Sequence, residues 1–159
     1  MITQVYLAFG SNIGNRQLYI DKALEYLDSY DEIDIVQVSQ SYNTKAVAAS
    51  VQPDYLNATA KLTTILSLRE FFNICVDIEK KLGRTSKGNY DPRTIDIDLL
   101  FFGNEIVSDD DLVIPHPLLH ERLFVLQPLN DIASDFLHPL LNTSINALYL
   151  QQCEKILTV

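Results

Sequence analysis

Cysteine is scarce: Cys75 and Cys153 stand far apart among 159 residues and form no CxxC pair. That argues against a disulfide framework or a thiolate metal site and leaves each as a small apolar side chain. No apolar run approaches the ~20 residues that span a bilayer. The start, Met1-Ile2-Thr3-Gln4, lacks the basic stretch and apolar run of a secretion signal. A cytoplasmic protein with no membrane partner is therefore expected, and the acceptor patterns at Asn57-Ala58-Thr59 and Asn142-Thr143-Ser144 carry no meaning there. Positive charge is also short, with 12 Lys and Arg against 21 Asp and Glu and a net charge of −9. Such a balance repels phosphate polymers, so nucleic acid is not an expected partner. Yet Lys80, Lys81, Arg84, Lys87 and Arg93 crowd into one stretch, and this patch suits a small anion.

What is present reads as one ordinary globular domain over residues 1–159, 47% hydrophobic and 21% charged. The apolar pattern predicts a strand over 4–9 closed by the turn Gly10-Ser11-Asn12, a helix over 15–29, and a second strand from Ile33 to Tyr42. Residues 43–52 read as a loop. From Tyr55 to Leu66 the chain alternates: Leu56, Ala58, Ala60 and Leu62 face one side, and Tyr55, Asn57, Thr59 and Lys61 the other. Ser67-Leu68-Arg69-Glu70 is a capping box. It opens a helix whose stripe is Leu68, Phe71, Phe72, Cys75, Ile78 and Leu82, with Gly83 as its C-terminal cap. A loop over 83–92 precedes a strand over 94–102, and helices are expected near 118–131 and 144–153. Strand–helix–strand–strand–helix–strand is the order of an α+β, ferredoxin-like antiparallel sheet. Its helices should pack mainly on one face, with a C-terminal helical extension, leaving the other face open for a site.

Alternation in Thr94-Ile95-Asp96-Ile97-Asp98-Leu99 puts Asp96 and Asp98 on one face, about 6.5–7 Å apart along the strand. Ile95, Ile97 and Leu99 bury the other face and fix the register. Two like charges this close repel unless neutralised, and a pair of magnesium ions roughly 3.5–4 Å apart would do so. The competing account is a solvated face with both aspartates paired to arginines. Arg84 and Arg93 offer forks for phosphate, and Gly83 and Gly88 would let the loop between them act as a lid. Gly10-Ser11-Asn12-Ile13-Gly14 joins strand to helix without the lysine or spacing of a P-loop, so a capping turn is expected. On the polar face of the third strand, Tyr55 could stack on a flat heterocycle and Asn57 bond its edge. His116 and His120 lack the partners of a zinc site. His116, between two prolines, suits a phosphate contact, and His138 reads as a surface or capping residue.

The chain resembles the 6-hydroxymethyl-7,8-dihydropterin pyrophosphokinases of folate biosynthesis. The matching segments are Gly10-Ser11-Asn12-Ile13-Gly14, Gln52-Pro53-Asp54-Tyr55-Leu56-Asn57, Leu82-Gly83-Arg84, Pro92-Arg93-Thr94-Ile95-Asp96-Ile97-Asp98, and Ile114-Pro115-His116-Pro117 through Leu126. The resemblance implies transfer of the β,γ-pyrophosphate of ATP to the pterin's hydroxymethyl oxygen, with release of AMP, by a monomer using two Mg2+. It implies Asp96 and Asp98 as metal ligands and, with Arg84 and Arg93, as the catalytic set. Glu79, Arg84, Lys87, Arg93, His116 and Arg122 correspond to ATP contacts. Thr44, Val47, Tyr55, Asn57, Tyr90 and Phe124 correspond to pterin contacts. Four places depart from the family pattern: Tyr90 replaces a common tryptophan, Lys87 stands in for an arginine, Lys45-Ala46 replaces a proline pair, and Asp111 and Val113 replace an arginine and a threonine. Two rival readings are a palm-like two-metal nucleotidyl-transfer domain and a non-enzymatic regulatory domain. The acidic balance counts against the first. The second would have no use for Arg93 and both aspartates.

Overall fold

The computed structural model describes residues 1–45, 53–83 and 94–157. Strand β1 (Thr3–Ser11) lies between β4 (Tyr55–Thr64) and β5 (Asp96–Phe102), antiparallel to both. Strand β2 (Ile33–Val38) pairs with β4 on its other side, so the sheet runs β2-β4-β1-β5. Helix α1 (Arg16–Asp28) links β1 to β2, which lie parallel with β4 between them. Helix α2 (Leu68–Lys81) links β4 to β5 across β1 in the same way. Two interleaved β-α-β units make the ferredoxin-like sheet expected from the element order.

The first core forms where alternation points apolar side chains toward α1 and α2. Val5, Leu7 and Phe9 meet Ala58, Ala60 and Leu62 of β4, Ile97 and Leu99 of β5, and the buried stripes of both helices. Each large side chain buried there contributes about 1.5–3 kcal/mol, which is why the register is fixed. Helix α2 begins as its sequence dictates. Ser67 Oγ accepts from the Glu70 amide at 3.2 Å while the Glu70 carboxylate accepts from the Ser67 amide at 3.1 Å. Gly83, at φ +98°, follows its end. Cys75 lies in this core; Cys153 is partly exposed, and both are free thiols.

The opposite face departs from the sequence reading. Helices α3 (Leu123–Ala133) and α4 (Ile145–Leu157) cover part of it, because Tyr6, Leu100 and Phe101 point that way and need an apolar layer. Leu126, Leu129, Ile145 and Leu148 supply it. Two consecutive β5 residues reach this second core through a bulge: Tyr6 pairs with Phe101 and Leu7 with Leu99, leaving Leu100 as the extra residue. The second strand ends at Val38 rather than running to Tyr42, and a three-residue strand β3 (Tyr42–Thr44) starts at that residue and enters the expected loop. The cause is the length of β4. Its second half pairs with β2 and its first three residues with β3. A hairpin of β6 (Val107–Ser108) and β7 (Val113–Ile114) follows β5. Among the described residues no helix is long and apolar enough to cross a membrane.

His138 lies in the second core rather than at the surface, 3% exposed, with its ring edge-on to Phe101 at 5.4 Å. Its capping role is real: Nδ1 accepts from the amides of Leu140 and Leu141, each at 3.1 Å. Burial, reinforced by nearby His120, pushes its pKa below the ordinary value. The unfolded ring titrates near 6.5, so the stability it contributes is present above about pH 6.5 and is lost as pH falls through the lower folded value. We expect the melting temperature of the wild type to drop between pH 7.5 and 5 more steeply than that of His138→Asn. Thermal melts across that range test this, and parallel curves would refute it.

Candidate active site

Three strands build the site. Gly10 of β1 pairs with Asn57 of β4 on one side and Asp96 of β5 on the other. On the next rung Ala8 lies between Thr59 and Asp98. Strand spacing puts Asn57 and Asp96 roughly 9–10 Å apart across the sheet, with only a glycine and an alanine between the two rows. Side by side on the face opposite α1 and α2, the two rows form a shallow trough floored by Gly10 and Ala8, with Ala8 and Thr59 buried and Asp96 and Asp98 half-exposed on β5. The aspartates form its β5 wall, as the alternation predicted, while Ile95, Ile97 and Leu99 are buried behind.

The sequence predicts Gly10 in a turn that closes the first strand, but the strand runs on to Ser11. Gly10 lies inside β1, where glycine often marks a close approach. A Cβ there would meet Asn57 Oδ1 at 3.2 Å and the Tyr55 ring at 3.5 Å. Asn57 is 7% exposed, and its Nδ2 donates to Thr44 Oγ1 at 2.5 Å. Thr44, on β3, pairs with Tyr55 of β4. So Thr44, Tyr55 and Asn57 form the second wall of the trough, opposite the aspartates. Strand β3 is in turn tied to α3, since Tyr42 Oη donates to Asp131 Oδ2 at 2.7 Å. That bond raises the Tyr42 pKa.

Two further residues meet β5 along its outer edge. The Glu79 carboxylate, 3% exposed, accepts from the Ile97 amide at 2.7 Å. The His116 amide donates to the Leu100 carbonyl at 3.1 Å. His116 Nδ1 accepts from the Leu118 amide at 3.2 Å, so a neutral ring carries its proton on Nε2. At the start of α3 the Arg122 guanidinium lies over the Phe124 ring, 5.6 Å from its centroid. Asp111 and Asp109 are held by Arg69 at 2.8 and 3.0 Å. Val47, Arg84, Lys87, Tyr90 and Arg93 lie outside the described residues, as does the lid expected between Gly83 and Gly88.

A hollow of about 350 Å³ opens where β1 turns into α1. Arg16 crosses it to donate to Asn43 Oδ1 at 2.6 Å and to the Asp54 carbonyl at 3.0 Å. Neither β5 aspartate lines it, and its polar groups bond one another. Beyond Ser11 the chain turns and caps α1: Gly14 turns at φ +69°, and Asn15 Oδ1 accepts from the Leu18 amide at 3.1 Å.

An interleaved α+β sheet with a carboxylate pair on the face opposite α1 and α2 defines the fold class. Within that class the sequence is specific. A family model described as 7,8-dihydro-6-hydroxymethylpterin-pyrophosphokinase matches residues 6–134, and the chain belongs to that family. The 2-amino-4-hydroxy-6-hydroxymethyldihydropteridine pyrophosphokinase of Bacillus subtilis is 39% identical over 127 residues, covering 80% of this chain and 76% of its own length. The protein of that name from Haemophilus influenzae is 38% identical over 139 residues, covering 87% and 86%. Among solved structures, the Plasmodium falciparum HPPK-DHPS with pteroate shares the fold at a TM-score of 0.78 and 14% identity. It covers 98% of this chain, which spans 45% of that one.

Proposed function

We propose that this chain transfers the pyrophosphate of ATP to the hydroxymethyl group of 6-hydroxymethyl-7,8-dihydropterin in folate biosynthesis, releasing AMP, with the trough as its active site. The observation that carries the site assignment is the row Asp96–Gly10–Asn57, which sets a carboxylate wall against a wall able to bond and stack a flat heterocycle. Thr44, Tyr55 and Asn57 hold the pterin, whose edge meets the Asn57 amide. Val47, Tyr90 and Phe124 complete that contact, Phe124 by stacking. ATP lies toward β5, engaged by His116 and Arg122 and by Arg84, Lys87 and Arg93.

Two Mg2+ ions fit the donor set. Asp96 and Asp98 present two hard oxygen ligands on successive rungs, and among the described residues no group of three or more His, Cys, Asp or Glu forms a closed cage. Magnesium keeps waters and phosphate oxygens as ligands and needs only one or two carboxylates. When bound, it would neutralise charge on the triphosphate oxygens. The rest belongs to positioning: the two walls place the hydroxymethyl oxygen and the β-phosphorus in line, and charged side chains support the group in transit.

Incubating the protein with ATP, Mg2+ and the hydroxymethyl dihydropterin is expected to yield AMP and pterin diphosphate in equal amounts. ADP as the nucleotide product, or no pterin-dependent turnover, refutes this function. The reading further takes the chain as a single, monomeric domain acting in the cytoplasm.

A further inference from the structure

A carboxylate has no place in an apolar layer unless it is bonded there. Glu79 lies in the layer between α2 and β5, 3% exposed, beside Ile78 and Cys75. Its Oε2 accepts from the amide of Ile97, the residue between Asp96 and Asp98. Among the described residues β5 is at the sheet edge, with no strand beyond it to accept from an outward amide at this point. Three residues on, the Leu100 carbonyl on the same strand is held by the His116 amide. The strand is therefore fixed on both flanks at the level of its carboxylates: by β1 on the inside, and by a charge-assisted bond from α2 on the outside.

We propose that Glu79 is a positioning residue, which sets the angle of β5 through the Ile97 amide and so the direction in which Asp96 and Asp98 present their oxygens. The family resemblance places Glu79 among nucleotide contacts. The buried geometry assigns its Oε2 to the strand, and its effect on the reaction passes through the two aspartates. This inference rests on the reading of Asp96 and Asp98 as metal ligands.

The test uses Mn2+ as the metal probe, its binding followed by electron paramagnetic resonance in the presence of α,β-methylene-ATP. Glu79→Gln keeps an oxygen acceptor for the Ile97 amide, and Glu79→Met keeps the length without one. Glu79→Met is expected to weaken Mn2+ binding about tenfold or more, as loss of an outer-shell partner does. Glu79→Gln should stay within about threefold of wild type, and analogue binding at saturating metal should change little in either. Wild-type Mn2+ affinity in Glu79→Met, or equal losses in the two variants, overturns the proposal. Asp98→Asn separates the two readings. If it leaves Mn2+ binding intact, the metal assignment fails and the positioning role with it; if it weakens binding while Glu79→Met does not, the positioning role alone fails. Amide hydrogen exchange on the wild type gives a check that needs no variant: Ile97 is expected to be protected, and exchange at the rate of an unbonded amide overturns the proposal.

Discussion

Asp98→Ala and Asp96→Ala are each expected to lower AMP formation by at least about a thousandfold, some 4 kcal/mol of transition-state stabilisation. The fold should survive both changes. Each carboxylate is half-buried on the trough wall, while the side chains that hold β5 in place, Ile95, Ile97 and Leu99, are on its other face. Melting temperatures should therefore stay near that of the wild type while turnover collapses. The Asp→Asn variants separate charge from shape: they keep the contour of the trough and are expected to lose nearly as much activity. A rate within tenfold of wild type in either alanine variant would overturn the metal assignment.

Gly10→Val should damage the other wall. At this position even a methyl group would come within 3.2 Å of Asn57 Oδ1. Asn57 cannot easily retreat, because its amide is bonded to Thr44 and the residue is 7% exposed. Two further methyl groups would press on Asn57 and the Tyr55 ring together. Overpacking of this kind costs about 1–3 kcal/mol, which corresponds to roughly a five- to 150-fold weaker pterin interaction. The KM for the pterin is expected to rise by that factor while the KM for ATP changes little. Initial rates with each substrate varied in turn decide the matter. An equal effect on both would mean that Gly10 serves the sheet rather than the pterin wall.

Strict alternation made the two walls legible in the sequence. Asp96 and Asp98 could be assigned to one face because Ile95, Ile97 and Leu99 claim the other, and Tyr55 and Asn57 followed from Leu56, Ala58 and Ala60. The start of α2 was equally legible, since a capping box is a local bonding pattern. What escaped was long-range. Three residues of β3 carry no periodicity of their own and become a strand only because β4 extends past β2. Gly10 looked like punctuation because its reason, the nearness of Asn57, lies on another strand. Glu79 did leave a signal: it falls four residues after Cys75 and eight after Phe71, on the buried stripe of α2. A charge on an apolar stripe asks for a partner, but sequence does not say that the partner is the Ile97 amide. The cover on the second face was missed because Tyr6, Leu100 and Phe101 acquire their common direction through a bulge that no run of letters announces.

That bulge gives β5 two independent halves. Before Leu100 the strand keeps one phase of alternation and carries Asp96 and Asp98; after it the phase slips by one, and Phe101 enters the second core. A single uninterrupted strand would bind the two together, so that any adjustment of the aromatic packing under α3 and α4 propagated as a rotation of the carboxylates. The unpaired residue acts as a slip joint.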